Sequence, residues 1–180
     1  MLTVIEGRLG SGTTAIMAKL VKENAEKTSR KIYAIAPFSF PCEKLTSDDF
    51  IAKLYDDKLY NCIIALDHTY ALFDSRMSQT KVNRLFSYFV TQSRKRDCDI
   101  YIAVNDFNNI DSRLRRMTRI GIKCSLAKKT IITEIMDLES AEVFSSNVKI
   151  ADVVGLCTED ADYIGEESSL LGLKESLNLK

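Results

Sequence analysis

Apolar runs alternate with helical periodicities as far as residue 129 of this chain. Strand-like runs lie at residues 2–5, 31–36, 61–66, 99–105 and 120–125. Between them, apolar side chains recur at helical spacing over residues 15–27, 48–55 and 80–97. Near-continuous apolar strands separated by helices indicate a parallel sheet that is covered on both faces. The predicted fold class is therefore α/β, with a mostly parallel sheet sandwiched by helices.

The pattern changes after Lys129. Residues 130–137 alternate between Ile or Met and polar side chains, and residues 141–148 suit a partner strand. These segments predict a C-terminal antiparallel addition to the parallel core. The remaining residues are acidic and contain Gly and Ser. We therefore expect one domain over residues 1–150 and an acidic C-terminal extension over residues 151–180, which is either partly disordered or an interaction tail.

Composition is that of an ordinary globular protein whose 180 residues suffice for one sizeable core. The formal net charge is zero, so the chain as a whole is not a binder of polyelectrolytes. The five cysteines lie far apart without a Cys-x-x-Cys pair, and we expect free, buried thiols in a reducing compartment. No apolar run reaches the roughly 20 residues of a membrane helix, and no secretion signal is evident. We predict a cytoplasmic protein without a membrane partner, in the host cytoplasm if it is viral.

A glycine-rich turn joins the first predicted strand to the first predicted helix. It reads Gly7-Arg8-Leu9-Gly10-Ser11-Gly12-Thr13-Thr14. Small residues let backbone N–H groups wrap around phosphate oxygens, and the helix dipole adds attraction. Gly7, Gly12 and Thr14 match the phosphate-loop spacing, whereas Thr13 stands where the lysine belongs. We predict phosphate binding, with slow hydrolysis because a charge is missing; the alternative is a glycine-rich turn without a ligand.

A second candidate site follows the third predicted strand. Four apolar residues, 63–66, end in Asp67 and His68. An acid at this position typically holds Mg²⁺ in nucleotide sites, so Asp67 and the Thr14 hydroxyl are the predicted metal ligands. Carboxyl ends of parallel strands meet at one edge, which would bring Asp67 near the glycine-rich turn. His68, the single histidine, could accept a proton near pH 7. The alternatives are a capping Asp and a solvent-facing His.

Polar and basic residues flank the fourth predicted strand. Asn105 ends that strand and could sense a γ-phosphate, or it could simply form a turn. Arginine is concentrated at residues 94–96 and 113–119. These basic stretches suit contact with the phosphate backbone of DNA, and they equally suit arginines that reach a neighbouring subunit's nucleotide. The remaining alternative is a solvated helix face with cations in its last turn.

With these blocks in place, residues 1–125 resemble the FtsK/HerA-type P-loop ATPases, which have a RecA-like fold. The likeness is greatest to viral genome-packaging ATPases and zonula-occludens-toxin-like phage proteins. It rests on the order and distances of several blocks, which lie at residues 7–14, 63–68, 74–76, 92–96 and 110–115. The resemblance implies a ring-shaped homo-oligomer that hydrolyses ATP with Mg²⁺ to move DNA.

The resemblance also implies roles for individual residues. Gly10, Ser11, Gly12 and Thr14 would bind phosphates and Mg²⁺, and Asp67 would belong to the metal site. Asn105 would stand where the family tends to have Gln, and Arg94 or Arg96 would act on a neighbour's nucleotide. Three positions depart from the family pattern, namely Thr13 for Lys, His68 for Glu and Asn105 for Gln. Arg8 lies inside the loop and is a better substitute for the missing cation than Lys19.

These observations support two functions from different classes. The first is an enzyme, a divergent ATP-driven DNA translocating or packaging motor of a virus or mobile element. The second is a catalytically impaired pseudo-ATPase that acts as a nucleotide-binding, structural or regulatory partner in an assembly. A small-molecule kinase is disfavoured because no Arg-rich, lid-like insertion is evident.

Overall fold

The computed structural model describes residues 1–67 and 73–158. In these ranges, short 3₁₀ turns lie at Ser75–Met77, Phe107–Asn109 and Ile150–Asp152. The helices and strands in chain order are β1 (Leu2–Glu6), α1 (Thr13–Thr28), β2 (Lys31–Ile35), β3 (Glu43–Lys44), α2 (Ser47–Tyr55), β4 (Cys62–Asp67), α3 (Lys81–Gln92), β5 (Cys98–Val104), α4 (Ser112–Met117), β6 (Ile120–Ala127), β7 (Thr130–Asp137) and β8 (Val143–Lys149).

All eight strands form one sheet in the order β3-β2-β4-β5-β1-β6-β7-β8. The pairs from β3 through β6 are parallel, while β6–β7 and β7–β8 are antiparallel. This confirms the predicted α/β fold and its C-terminal antiparallel addition. Strand β5 lies between β1 and β4, so the carboxyl ends of these three strands meet at one edge of the sheet. We call this the carboxyl edge.

Apolar side chains fill both sides of the sheet. Helix α1 packs on one face through residues such as Met17 and Val21. Helices α2, α3 and α4 cover the other face, with Phe50, Phe86 and Leu114 in its core. Strand β4 is buried along its whole length, as its continuous apolar run predicts for a strand covered on both faces. The sandwich of helices around a parallel sheet is thus confirmed.

The second long helix is shorter than the apolar periodicity suggests. The sequence predicts a helix over residues 80–97, whereas α3 ends at Gln92. The chain turns back there because the Cys98 N–H donates to the Ser93 carbonyl (2.8 Å) and Asp97 adopts a φ of +52°. The basic residues 94–96 therefore lie in a turn that leads into β5 rather than in the last turn of a helix.

Residues that follow β8 pack back onto the sheet. Val153 is buried in the core on the α1 side. The Thr158 N–H donates to the Pro37 carbonyl (2.8 Å), and Phe38 forms a β-bridge with Cys157. The predicted boundary at residue 150 stays a prediction, and residues 159–180 of the acidic extension lie outside the described residues. None of the helices in the described ranges has the length and apolar character needed to cross a membrane.

The cysteines are free thiols, and three of them are buried, as predicted: Cys62, Cys98 and Cys124. Cys124 lies on β6 beside the glycine-rich turn, and burial raises its pKa to about 12. At neutral pH this thiol is therefore protonated and unreactive.

Candidate functional site

The glycine-rich turn leaves β1 at the carboxyl edge and enters α1 at Thr13. Gly10 and Gly12 have φ angles of +78° and +90°, which favour glycine because it lacks a Cβ. The Ser11 N–H donates to the Arg8 carbonyl (2.9 Å) and closes the turn. No side chain caps the N-terminus of α1. Its first N–H groups therefore remain for a ligand, which is the arrangement that binds phosphate at a helix N-terminus.

Two glycines also allow close packing below the turn. A Cβ on Gly7 would lie 2.8 Å from the carbonyl oxygen of Cys124 on β6. A Cβ on Gly12 would lie 2.5 Å from the Cδ1 atom of Ile131 on β7. The turn is thus seated directly against the C-terminal strands, and it can hold its shape before a ligand arrives.

Thr14 and Asp67 meet across the carboxyl edge although 53 positions separate them. The Thr14 hydroxyl, in the first turn of α1, donates to Asp67 Oδ2 at 2.8 Å. Asp67 ends β4 and is buried, with 6% of its surface exposed. The two predicted Mg²⁺ ligands are therefore neighbours, as the parallel sheet requires when only β5 intervenes.

The residues present suit a nucleotide with its magnesium ion. The Ser11 Oγ atom is buried and has no hydrogen-bond partner within the described residues, so a phosphate oxygen would satisfy it. The described residues contain no cluster of three or more His, Cys, Asp or Glu that could hold a metal. Mg²⁺ needs no such cluster, since it commonly binds to one or two protein oxygens and to phosphate oxygens. Thr14 and Asp67 would supply those protein oxygens.

A cavity of about 870 Å³ opens beside the turn. Its lining includes the loop residues 7–11 and three polar residues that follow β5, namely Asn105, Asp106 and Asn108. Asn105 is exposed at the end of β5, between the turn and Asp67 in the order of the strands. Asn105 therefore lines the same cavity as the glycine-rich turn, and its contact with a terminal phosphate stays a prediction.

Thr13 and Arg8 differ in charge and in exposure to this cavity. Thr13 is buried with 6% of its surface exposed, and it brings no charge. Arg8 is exposed and lines the cavity. Lys19 of α1 pairs with Glu23, so within the turn and the first half of α1 Arg8 is the cation that lines this cavity.

Of the other predicted catalytic residues, Arg94 does not line this cavity. His68 lies outside the described residues. The Arg96 carbonyl accepts from the Asn61 N–H (2.8 Å), which fixes residues 94–96 at the amino ends of β4 and β5. Arg94 is exposed at that opposite edge, away from the glycine-rich turn of its own chain.

Three of the six arginines in the predicted basic stretches form ion pairs within the protein. Arg96 pairs with Asp57 and stacks on Tyr60, with 4.6 Å from its guanidinium carbon to the ring centroid. Arg113 pairs with Asp111 (2.7 Å), and Arg119 pairs with Asp137 (3.1 Å) and Glu139. Arg94 and Arg116 remain exposed. The local excess of positive charge is smaller than the sequence suggests.

One cavity residue was missed by the sequence-based reasoning. Lys123, on β6, lines the same cavity as the glycine-rich turn. It is an exposed cation within an otherwise apolar strand pattern. A single cation between apolar residues indicates that one face of the strand is open. Nothing in the sequence indicates that β6 pairs with β1, however, and this pairing is what brings Lys123 to the cavity.

Known proteins were compared with the chain by sequence and by structure. The family model for the ATPase family associated with various cellular activities (AAA) matches residues 3–127. No curated protein matches the chain.

Solved structures of two proteins share the fold. The N-terminal domain of zonular occludens toxin from Neisseria meningitidis is 15% identical, with 91% of this chain and 96% of that chain covered and a TM-score of 0.65. The genome-packaging NTPase B204 of Sulfolobus turreted icosahedral virus 2, in complex with ATP-gammaS, is 12% identical, with coverages of 80% and 95% and a TM-score of 0.61. The same NTPase in complex with sulfate is 14% identical, with coverages of 80% and 94% and a TM-score of 0.58.

These likenesses support the fold, and the family model covers more than half of the chain. The expected resemblance to P-loop NTPases, including a zonular occludens toxin domain and a viral packaging NTPase, is confirmed at the level of the fold. The glycine-rich turn, the Thr14–Asp67 contact and the family match together show that this chain is a P-loop NTPase domain that belongs to the ATPase family associated with various cellular activities.

Proposed function

We propose that this protein binds ATP and Mg²⁺ at the glycine-rich turn and works as a divergent DNA translocating or packaging ATPase. The observation that carries the proposal is the 2.8 Å contact between the Thr14 hydroxyl and Asp67 Oδ2 beside uncapped N–H groups of α1. Two oxygen ligands next to a phosphate-binding turn are what an Mg²⁺–nucleotide complex requires. The packaging NTPase B204, whose fold is similar, was solved with ATP-gammaS.

Each residue at the carboxyl edge has a distinct role in this proposal. Backbone N–H groups of Gly10 and of residues 12–14, together with the Ser11 hydroxyl, would hold the phosphates, while Thr14 and Asp67 would orient the metal. When bound, Mg²⁺ would neutralise charge on the β- and γ-phosphates. Asn105 would contact the terminal phosphate, and His68, which follows Asp67 directly in the chain, would accept a proton from the attacking water.

Assembly into a homo-oligomeric ring belongs to the same proposal. Arg94 is exposed at the edge opposite the glycine-rich turn, and it would therefore act on a neighbouring subunit's nucleotide. Arg115 and Arg116 on α4, which do not pair with carboxylates within the described residues, would contact the DNA backbone.

A pseudo-ATPase is the second candidate, and the buried, uncharged Thr13 favours it. The lysine of a phosphate loop stabilises the charge that develops in the transition state, and such electrostatic stabilisation is usually the largest catalytic contribution. A protein without it could bind nucleotide and serve as a structural or regulatory partner in an assembly. Turnover, rather than binding, separates the two candidates.

The test is a calorimetric titration of the protein with ATP and Mg²⁺, repeated with Asp67→Ala and with the isosteric Asp67→Asn. We expect binding with a micromolar Kd that both variants lose or that no longer depends on Mg²⁺. Asp56→Ala, which removes an exposed carboxylate remote from the turn, is the charge-matched control and should bind normally. Circular dichroism checks that each variant is folded.

Binding that is absent at millimolar ATP would overturn the proposal and leave the turn without a nucleotide. Unchanged Mg²⁺ dependence in Asp67→Asn would overturn the metal assignment alone. If binding is present, ATP turnover with and without double-stranded DNA decides between the motor and the pseudo-ATPase, because only a motor should hydrolyse ATP faster when DNA is added.

A further inference from the structure

The cavity beside the glycine-rich turn has a cation that does not belong to the turn. Among the described residues that line it, only Arg8 and Lys123 are basic. Neither forms an ion pair within the described residues. The position in the turn that normally carries the positive charge is Thr13, which is uncharged and buried. A triphosphate bound there would therefore need its cation from another element.

Lys123 is fixed by the sheet on the side of the cavity. Strand β6 pairs with β1 in parallel, and Lys123 stands opposite Glu6, the last residue before the turn. Ile122 and Cys124 point into the core on the α1 side, so Lys123 points to the other face, as Glu6 does. Glu6 Oε2 accepts from the Phe107 N–H (3.0 Å) in the segment after β5. Lys123 thus faces the segment that contributes Asn105 and Asn108 to the cavity.

The surroundings of Lys123 leave its ammonium group available. Its neighbours across the two ladders are Glu6 and Glu134, and neither lies within ion-pair distance in the described residues. The side chain is exposed. A lysine on a flexible four-carbon stem acts as a point charge that can approach phosphate oxygens from a nearby strand.

We propose that Lys123 supplies, from β6, the positive charge toward the β- and γ-phosphates that Thr13 cannot supply from the glycine-rich turn. This inference rests on the proposed function, because it assumes that the turn binds a nucleoside triphosphate. The ligand class is a nucleotide with at least two phosphates, since a monophosphate held at the N-terminus of α1 would not extend to a second cation.

Arg8 is the competing cation, and its setting is less suited to the role. Arg8 lies in the exposed part of the turn, where the next residue, Leu9, has 88% of its surface exposed. Lys123 lies within a strand that is hydrogen-bonded on both sides, to β1 and to β7. A cation whose backbone is already ordered loses less conformational entropy on binding than one on an open loop.

The experiment measures the affinity for ATP and for AMP by calorimetry in the full chain. It compares the native protein with Lys123→Met, Arg8→Met and Lys149→Met. Lys149 is an exposed lysine of β8 that does not line the cavity, so its variant controls for the loss of one positive charge. A fifth protein, Lys123→Met with Thr13→Lys, restores a cation from the usual position.

We expect Lys123→Met to weaken ATP binding by about tenfold or more, which is the effect of losing one charge-assisted contact. AMP binding should not change, the control should match the native protein, and the double variant should regain ATP affinity. Unchanged ATP affinity in Lys123→Met would overturn the inference while the proposed function stands. An equal loss in Lys149→Met, or a loss confined to Arg8→Met, would overturn it too. A native protein that binds no ATP would overturn the proposed function itself.

Discussion

At the scale of single residues, the glycine-rich turn depends on backbone angles and on distances to neighbouring atoms. Gly10 and Gly12 both have positive φ angles, but their surroundings differ. A Cβ on Gly10 would meet no atom within 4 Å, whereas one on Gly12 would lie 2.5 Å from Ile131 Cδ1. The two positions therefore separate the cost of the backbone angle from the cost of crowding.

We predict that Gly10→Ala lowers the free energy of unfolding by about 1 kcal/mol, because only the left-handed backbone angle is penalised. Gly12→Ala should cost about 1–3 kcal/mol more, since Ile131 must also move. Urea unfolding of both variants measures the difference. A double variant, Gly12→Ala with Ile131→Val, should recover part of the loss; equal costs for the two single variants would contradict the crowding.

Position 13 separates the two proposed functions, the motor and the pseudo-ATPase. We predict that Thr13→Lys raises ATP turnover by about two orders of magnitude if the rest of the site is intact, since one electrostatic group is commonly worth that much. Steady-state phosphate release measures the effect, and Thr13→Met is the control for side-chain length. If nucleotide binding is retained without any gain in turnover, the missing lysine is not the sole obstacle to hydrolysis. The pseudo-ATPase is then favoured.

At the scale of elements, the short helix α4 shows how one buried carboxylate organises a segment that the sequence did not reveal as a helix. Asp111 is 1% exposed, and its carboxylate accepts from the Arg113 backbone N–H (2.8 Å) to cap α4. The Arg113 guanidinium pairs with the same carboxylate (2.7 Å) and donates to the Ser78 carbonyl (2.7 Å). The pair thus ties α4 to the segment that precedes α3.

The hydrogen bond from Arg113 holds the pKa of Asp111 below its ordinary value of 3.8. A carboxyl whose folded pKa is depressed stabilises the fold above its unfolded pKa, and that stability is lost as the pH falls through the folded pKa. We predict that Asp111→Ala costs about 2 kcal/mol at neutral pH through loss of the cap and the ion pair. The variant should also lose less stability than the native protein when the pH is lowered below about 4.

Urea unfolding at neutral and acid pH tests this prediction. Asp106→Ala is the matched control, because Asp106 caps an exposed 3₁₀ turn through the Asn108 N–H (2.8 Å) and forms no ion pair within the described residues. It should cost less and leave the acid sensitivity unchanged. Identical pH profiles for the native protein and Asp111→Ala would show that the Asp111–Arg113 pair contributes nothing to acid sensitivity.

At the scale of the whole molecule, the two edges of the sheet carry different chemistry. The carboxyl edge holds the glycine-rich turn, Thr14 and Asp67, while the exposed Arg94 lies at the amino edge. A ring in which the amino edge of one subunit meets the carboxyl edge of the next would bring the two together. This geometry is the physical reason for proposing an oligomer rather than a self-sufficient monomer.

DNA binding is the property that a translocase needs beyond nucleotide binding. We predict that Arg115→Ala with Arg116→Ala lowers the salt slope of DNA affinity by about two, since each lost phosphate contact lowers it by about one. Fluorescence anisotropy with duplex DNA over a range of salt concentrations measures this. Lys27→Ala with Lys44→Ala removes the same charge from exposed sites elsewhere. A native protein without DNA affinity at low salt would remove the proposed substrate.

The sequence alone determined the fold class and the local chemistry of the turn. Apolar runs predicted β1, β2, β4, β5 and β6, because strands of a parallel sheet that helices cover are largely apolar. The alternation after Lys129 predicted β7 and its partner β8. The spacing of Gly7, Gly12 and Thr14 predicted a phosphate-binding turn, because that geometry depends on neighbouring residues. The sequence did not predict α4, because a six-residue helix is too short to show a periodicity. It also did not predict the end of α3 at Gln92, where a turn overrides the apolar pattern.

Only the tertiary structure decided which distant residues meet. Thr14 contacts Asp67 because β1 and β4 end at the same edge of the sheet and only β5 separates them. Ile131 lies under Gly12, and Lys123 reaches the cavity, because β6 and β7 extend the sheet on the other side of β1. Arg96 and Arg119 are neutralised by Asp57 and Asp137, which lie far from them in the chain and which folding brings to them. Strand order and side-chain pairing are set by packing between remote segments, and no local pattern in the sequence records them.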